Sequence, residues 1–420
     1  MVHIPRKPNV WLMRWKALII GKKIKLKPTK EQEILFWKSA GVARWSYNYF
    51  IGTQNEVYQS YLDNGKRGKR FISDGEIRKY INNVLKPTTH TWLKEVGSNV
   101  MKQGVKDAKD AYSKYFNKLA DKPKFKSKHK STPSFYVNYE SLKRIDGFHF
   151  RGEKIGVVET SESMPKIKGN YKNPRIKYDG KYWYISFGIE IEHKEHKLTN
   201  DSLGIDVGVK DLAICSNGKT YKSINKSKEI KRLEKKLKRE MRSFSRMRED
   251  NIIDKIYYKS GDKKGKLKSF KYIRSLKECK NYQKQLKTIQ GIYRRIANIR
   301  TNYLHQTSSE IVKTKPFRVV MEALNIKGMM KNKHLSKAIQ NQCLYEFKRQ
   351  IKYKCKKYGI EFVEADRFYP SSKKCSNCGA IKKELRLNDR IYKCKCGFSI
   401  DRDYNASINL ANYLIKEISN

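Results

Sequence analysis

The sequence predicts an α+β multidomain fold, and three observations carry that prediction. A strand-like segment from Ala17 to Leu26 is followed by a long helical stretch, and strand texture returns only after a lysine-rich linker, DKPKFKSKHKSTP, at 121–133. The run RIKYDGKYWYISFGIEI alternates apolar and polar residues around Asp179-Gly180, as a half-buried antiparallel hairpin must. After Asn200 the order becomes hairpin, helix, strand, helix, strand, helix, which implies a mixed sheet covered by helices.

In chain order, the first strand stops at Pro28. Thr29 and Gln32 then form a capping box, each side chain able to satisfy the other residue's free N–H. Leu35, Val42, Trp45 and Tyr49 follow at helical spacing, and helical patterns run with breaks to about Leu119. Trp183, Ile185, Phe187, Ile189 and Ile191 give the second strand segment one buried face, so 134–192 reads as a small antiparallel barrel split by the preceding helices. LGIDVGVKDLAIC with the turn Asn217-Gly218 is a second hairpin. Two long basic helices come next. One carries Ile230, Leu233, Leu237, Met241, Phe244 and Met247, and the other Leu286, Ile289, Tyr293, Ile296, Ile299 and Tyr303. These stripes suit core packing of an antiparallel pair. A polar Lys/Gly-rich connector is expected between them, roughly Asp250 to Phe270. FRVVMEAL reads as a buried strand, 335–357 as one helix, IEFVEAD as a strand, and the last helix begins near Asp403.

The charge narrows the function. Lys and Arg number 94 against 41 Asp and Glu, a formal charge of +53 spread along the whole chain. A folded protein holds that much like charge most easily against a polyanion, and 12% aromatic content adds residues that can stack on bases. The blander reading is that part of this charge is solvated surface. No apolar run is long enough to span a membrane, and the apolar stretch within Met1–Ile20 is too short for a signal peptide. The chain reads as cytoplasmic. Eight cysteines in a reducing compartment then read as metal ligands or core residues.

Four cysteines are clustered. Cys375-Ser-Asn-Cys378 and Cys394-Lys-Cys396 stand fifteen residues apart, and each pair is followed by a glycine, Gly379 or Gly397. Four thiolates can occupy the corners of a tetrahedron, the geometry Zn²⁺ prefers, and a four-cysteine site leaves no position open for catalysis. Lys373, Lys374, Lys393 and Lys395 are expected to help depress the thiol pKa values. Cys215, Cys279, Cys343 and Cys355 are isolated and read as core or surface thiols.

Three acids occupy costly places. Asp206 interrupts an apolar strand, Glu322 ends another, and Asp403 opens the last helix. A buried carboxylate needs a partner, and divalent metal is one. Three such acids could hold two Mg²⁺ ions, an arrangement suited to phosphodiester hydrolysis. Singly, each is more readily a hydrogen-bonded or solvated acid. Asp211, Asp366 and Asp401 are the rival candidates.

These motifs together resemble the TnpB family, transposon-encoded RNA-guided DNA endonucleases related to compact type V CRISPR effectors. GIDVGVKDLA resembles the family's first RuvC motif, VVMEALNIKGM the second and DRDYNASINLAN the third, which maps the catalytic, Mg²⁺-holding acids onto Asp206, Glu322 and Asp403. CSNCG and CKCG resemble its zinc ribbon, with DRFYPSSKKCSNCG a specific run; KIKLKPTKEQ and RWSYNYF resemble its opening strand and first helix. Three features depart from the pattern: Ala323 after Glu322, the C-x-C second pair, and the 250–270 connector, which looks like an insertion. The resemblance implies a wedge-type β-barrel at 17–30 and 133–197, split by a helical recognition lobe at 31–132. It implies an RNase H-like (RuvC) nuclease domain at 198–420, with a helical insertion at 226–312 and a zinc ribbon at 370–398. It also implies a guide RNA and double-stranded target DNA as partners. A non-cleaving RNA-guided repressor, a strand-transferring transposase and a CRISPR effector stay open as alternatives.

Overall fold

The computed structural model describes residues 18–413, except 129, 192–194, 263 and 386–388. Ala17, where the sequence starts the first strand, lies outside the described residues, as does most of Met1–Ile20. The chain divides into two compact units, Met1–Glu192 and His193–Asn420.

In the first unit, strand β1 (Leu18–Lys27) leads to helix α1 (Lys30–Asp63). The capping box forms as the sequence requires: the Thr29 hydroxyl accepts the Gln32 N–H, and the Gln32 side chain accepts the Thr29 N–H. Its buried face centres on Phe36, Ala40, Val42, Tyr47, Phe50 and Ile51. Trp45 and Tyr49 are only partly buried, so the expected stripe marks the edge of that face. Helices α2 (Asp74–Tyr80) and α3 (Ser98–Phe116) follow. Gly104 on α3 lets the two long helices approach: a Cβ there would lie 2.1 Å from the Ser46 hydroxyl of α1.

Strands β2 (Ser134–Tyr136), β3 (Lys143–Arg144), β4 (His149–Gly152), β5 (Gly156–Thr160), β6 (Lys172–Tyr178) and β7 (Trp183–Ile191) join β1 in a seven-stranded antiparallel sheet, ordered β2-β6-β7-β1-β5-β4-β3. β1 pairs with β7 as far as Lys25 and continues onto β5 at Leu26, so one long strand serves two ladders. Among the described residues no ladder joins the edge strands β2 and β3. The hairpin turn sits where expected: Gly180 has φ +97°, and the Asp179 carboxylate accepts the N–H groups of Lys181 and Tyr182. Trp183, Ile185, Phe187 and Ile189 are buried and close one core with α1 and α3.

In the second unit, β8 (Ser202–Asp206), β9 (Asp211–Cys215), β10 (Thr220–Lys222), β13 (Arg318–Glu322) and β14 (Glu361–Ala365) form a mixed sheet in the order β10-β9-β8-β13-β14. β13 is parallel to both neighbours, and its Val319, Val320 and Met321 are buried, as a strand covered on both faces demands. Helices α4 (Lys228–Glu249) and α5 (Lys280–Lys313) pack antiparallel through Ile230, Leu233, Leu237, Ile289, Ile292 and Ile296. Ile292, not Tyr293, occupies the seam; Tyr293 is half exposed, its hydroxyl 3.5 Å from the Met241 sulfur.

Two sequence expectations are corrected. The 250–270 connector is not irregular: β11 (Ile252–Tyr257) and β12 (Leu267–Tyr272) make an antiparallel ribbon of their own. Short α6 (Ile326–Met329) comes next. The expected helix 335–357 is then two, α7 (Ser336–Gln342) and α8 (Leu344–Tyr358), broken at Cys343, whose φ of +54° is left-handed. β15 (Ile391–Lys393), β16 (Ser399–Asp401) and α9 (Arg402–Ala411) complete the chain.

Candidate metal and carboxylate site

β8 and β13 end together. Ile205 pairs with Met321, so Asp206 and Glu322, the next residue on each strand, stand side by side at the carboxyl ends of two parallel strands. Helix α9 brings in the third acid. It lies directly on β8 at Gly204, where a Cβ would fall 1.9 Å from the Ser407 carbonyl oxygen and 2.3 Å from the Ala411 nitrogen. Only glycine permits that approach. Asp403 lies one helical turn before Ser407, at the Asp206 end of the helix–strand junction.

The electrostatics reflect that convergence. Burial pushes the Asp206 carboxyl up to about 8, with the Asp403 and Glu322 carboxylates adding to the rise and Arg402 opposing it. Burial also raises Glu322. Asp403 is ion-paired: Nε and Nη2 of Arg402 donate to its Oδ1 at 3.0 and 2.9 Å, and Arg390 lies 3.8 Å from Oδ2. A half-buried, desolvated acid beside two others is a donor set whose ionised form a divalent cation would stabilise, and Arg402 partly fills that role here.

The rival acids have local duties. Asp401 is the N-cap of α9, its Oδ1 accepting the N–H groups of Asp403 and Tyr404 at 3.0 Å each. The Asp366 carboxylate accepts the Phe368 N–H at 2.7 Å. Asp211 opens β9 opposite Lys222.

The four cysteines meet. Cys375, Cys378, Cys394 and Cys396 place their sulfurs within 4.8 Å of one another, and among the described residues they are the one group of three or more metal-type ligands drawn so close. The Sγ atoms of Cys375 and Cys396 are 3.9 Å apart, and those of Cys378 and Cys394 3.5 Å. A tetrahedron of Zn–S bonds near 2.3 Å has edges of about 3.8 Å, so the quartet fits that ion. Gly379 and Gly397 turn the chain beneath it with φ of +78° and +85°. Backbone N–H donation from Phe398, with Cys394 beside it, lowers the Cys396 thiol to about 6. The nearby lysines do not account for that shift, contrary to expectation. Cys215 and Cys355 are buried, Cys279 and Cys343 partly so.

Sequence reasoning missed the links between these parts. Asn405 and Asn409, one turn apart on α9, clamp the cysteine knuckle. Their side-chain amides donate to the Lys374 carbonyl at 2.7 and 2.6 Å, Asn409 also to that of Ser371 at 2.8 Å, and the Asn405 oxygen accepts the Ser376 N–H at 3.0 Å. The paired spacing in DYNASINLAN was the available signal. A second link joins α7 to the loop after Asp206: Gln342 Nε2 donates to the Gly208 carbonyl at 3.0 Å, and its Oε1 accepts from Ser223 Oγ at 2.7 Å.

Comparison with known proteins places this arrangement. The "Probable transposase" family OrfB_IS605 matches residues 186–269 and 251–333, the "Helix-turn-helix domain" of the same group matches 13–63, and "Cas12f1-like, TNB domain" matches 345–410. Over these segments the chain is similar to the IS605 OrfB, or TnpB-like, proteins. It is 27% identical over 405 residues to an Escherichia coli (strain K12) protein named "Putative RNA-guided DNA endonuclease InsQ", covering 92% of this chain and 90% of that one. It is 29% identical over 236 residues to "CRISPR-associated endodeoxyribonuclease Cas12f1" of Sulfoacidibacillus thermotolerans, covering 54% of this chain and 50% of that one. Its fold is similar to the protein in "Cryo-EM structure of the Cas12f1-sgRNA-target DNA complex", with a TM-score of 0.50, 17% identity, and coverage of 91% and 83% of the two chains. Among the described residues of this TnpB-like chain, no helix is long and apolar enough to cross a membrane.

Proposed function

We propose that this TnpB-like protein is an RNA-guided, divalent-metal-dependent DNA endonuclease of a transposon, hydrolysing both strands of its target at one RuvC-like site. The observation that carries the reading is the half-buried, desolvated Asp206, flanked by Glu322 and Asp403 where two parallel strands end, on a chain of formal charge +53. The names of its relatives supply the RNA guide and the DNA target. In this reading the seven-stranded sheet is the wedge-type barrel, α1–α3 the recognition lobe, and the second unit the RuvC-like nuclease domain.

Asp206, Glu322 and Asp403 would hold Mg²⁺, which when bound lowers the pKa of an attacking water and neutralises charge on the leaving 3′ oxygen. The chain's own residues do the rest. β8 and β13 fix two carboxylates on rigid strand ends, the Asp401 cap sets the start of α9, and α9 carries Asp403. The cysteines would hold a structural Zn²⁺ that secures the knuckle to α9 through Asn405 and Asn409. The distributed cations would grip a guide–target heteroduplex by backbone and shape.

The test is cleavage of a plasmid library carrying a guide-matched target beside random flanks, by protein co-expressed with RNA from its own locus. The expected result is Mg²⁺-dependent cutting beside one enriched flank, lost in Asp206→Ala while RNA stays bound. Undiminished cutting by Asp206→Ala overturns the catalytic assignment. One observation favours a second reading, a non-cleaving RNA-guided repressor: Arg402 and Arg390 already occupy Asp403. Target retention without any cut by the unaltered protein would establish it.

A further inference from the structure

The ribbon of β11 and β12 belongs to neither the carboxylate site nor the cysteine knuckle. It begins in and extends just past residues 251–269, the stretch where the two matches to the OrfB_IS605 family overlap, so it interrupts that family's pattern. An isolated two-stranded ribbon is marginal in water, and the ties that anchor this one gather at its root. The Asn251 side chain donates to the Arg274 carbonyl at 2.7 Å and accepts the Arg274 N–H at 3.1 Å. Arg248 of α4 lies over the Phe270 ring, and Phe244 of α4 stacks on Tyr282 of α5 at 4.3 Å. Beyond the root the ribbon carries its apolar side chains outward: Ile253 is 58% exposed, Tyr257 49%, Leu267 45% and Ile256 41%. Such a surface needs an occupant.

The charge says which. Residues 252–274 hold eight Lys or Arg against two Asp, a surface that selects a polyanion over an ordinary protein face. Shape narrows it further. A two-stranded ribbon fits the major groove of B-form DNA, about 12 Å wide, whereas the major groove of A-form RNA is too deep and narrow to admit it. Position adds a third constraint. The amino end of α4 is tied to the loop after Asp206, since Lys226 Nζ donates to the Lys210 carbonyl at 2.9 Å. The 22 residues of α4 then carry the ribbon about 33 Å away, close to one helical turn of B-DNA.

We propose that the β11–β12 ribbon is a separate DNA-binding element that seats in the major groove of duplex DNA about one helical turn from the carboxylate site. Its lysines pair with phosphates, and its apolar side chains lie against the groove. The proposal rests on the reading of this chain as a DNA-binding protein, and its test needs neither guide pairing nor cleavage.

The test is fluorescence anisotropy of a duplex DNA probe unmatched to the guide, titrated with the protein–RNA complex in buffer without added divalent cation, at salt from about 50 to 200 mM. Each lysine–phosphate pairing removed lowers the slope of log affinity against log salt by about 0.9. Changing Lys255, Lys259, Lys266 and Lys268 together to Gln should lower it by about 2 to 4 and weaken binding at least tenfold at about 100 mM salt. A second variant replaces 252–273 with a short Gly/Ser turn between Asn251 and Arg274, which the Asn251 side chain already joins; it should show the same weakening with the melting transition retained. An unchanged slope in both variants overturns the proposal, because the ribbon is then solvated. An equal weakening on duplex RNA also overturns it, in favour of binding to the guide. If Asp206→Ala still cuts, the catalytic assignment of that carboxylate fails while this measurement stands; if the unaltered complex never cuts, the nuclease reading fails and this measurement still stands.

Discussion

Replacing Gly204 by alanine tests how α9 sets the site. The added Cβ would meet the Ser407 carbonyl oxygen at 1.9 Å and the Ala411 nitrogen at 2.3 Å. Both are backbone atoms of one helix, so no side-chain rotation relieves the clash. A comfortable C···O approach is about 3.3 Å, so α9 must recede by about 1.4 Å. Overpacking of this kind costs about 1 to 3 kcal/mol, which a folded unit of this size should survive. The catalytic cost should be larger, since a 1 Å misplacement of a reacting group can lose about 100-fold, and Asp403 rides on α9. The expected outcome for Gly204→Ala is therefore RNA binding near that of the unaltered protein, a lowered melting temperature, and target cleavage down about 100-fold. Cleavage within threefold of the unaltered protein, with a confirmed fold, would refute the claim that Gly204 sets the position of Asp403.

Two further outcomes follow from the same site. The Asp206 carboxyl, pushed up to about 8, retains its proton in the folded protein where the unfolded chain, near 3.9, has lost it. Its contribution is fully present below about pH 3.9 and is lost as pH rises through 8, so without divalent metal this residue makes melting temperature fall across that window; Asp206→Asn should flatten the fall, and added Mg²⁺ should oppose it in the unaltered protein only. Replacing Cys378 by Ser, or treating with a zinc-selective chelator, should release about one zinc per chain by colorimetric assay and reduce cleavage even when Mg²⁺ is replenished; full activity in metal-free protein would mean the quartet has no such role.

Much of this architecture is legible from residues alone, for physical reasons that differ by element. The capping box at Thr29 and Gln32, the turns at Asp179-Gly180 and Asn217-Gly218, and the buried strands at 183–191 and 318–322 are local: pattern and turn chemistry decide them. The cysteine quartet is legible because two short spacings leave few alternatives. What escaped has no such plain local signal. The break at Cys343 lies inside a continuous helical pattern, and Gln342 beside it is drawn to the Gly208 carbonyl, more than a hundred residues away. Residues 250–270 read as a connector because lysine and glycine mask the alternation of Ile252–Tyr257 and Leu267–Tyr272. Arg402 was overlooked because its importance lies in the neighbouring Asp403 and in the field at Asp206, which no spacing records.

The clamp of Asn405 and Asn409 on the cysteine knuckle has a consequence in chain statistics. Between the end of β14 at Ala365 and the start of α9 at Arg402 the polypeptide makes an excursion of 36 residues. Closing a flexible loop of that length costs about 3 kcal/mol in entropy, from the logarithm of its length alone. A metal cross-link among the four sulfurs would tie the excursion into a small knot, which the two asparagines fasten to the helix. Asp403 is then delivered by a short tether instead of a long slack one. Evolution is free to redecorate the exposed positions of the excursion, such as Lys383 and Glu384, without loosening the third carboxylate.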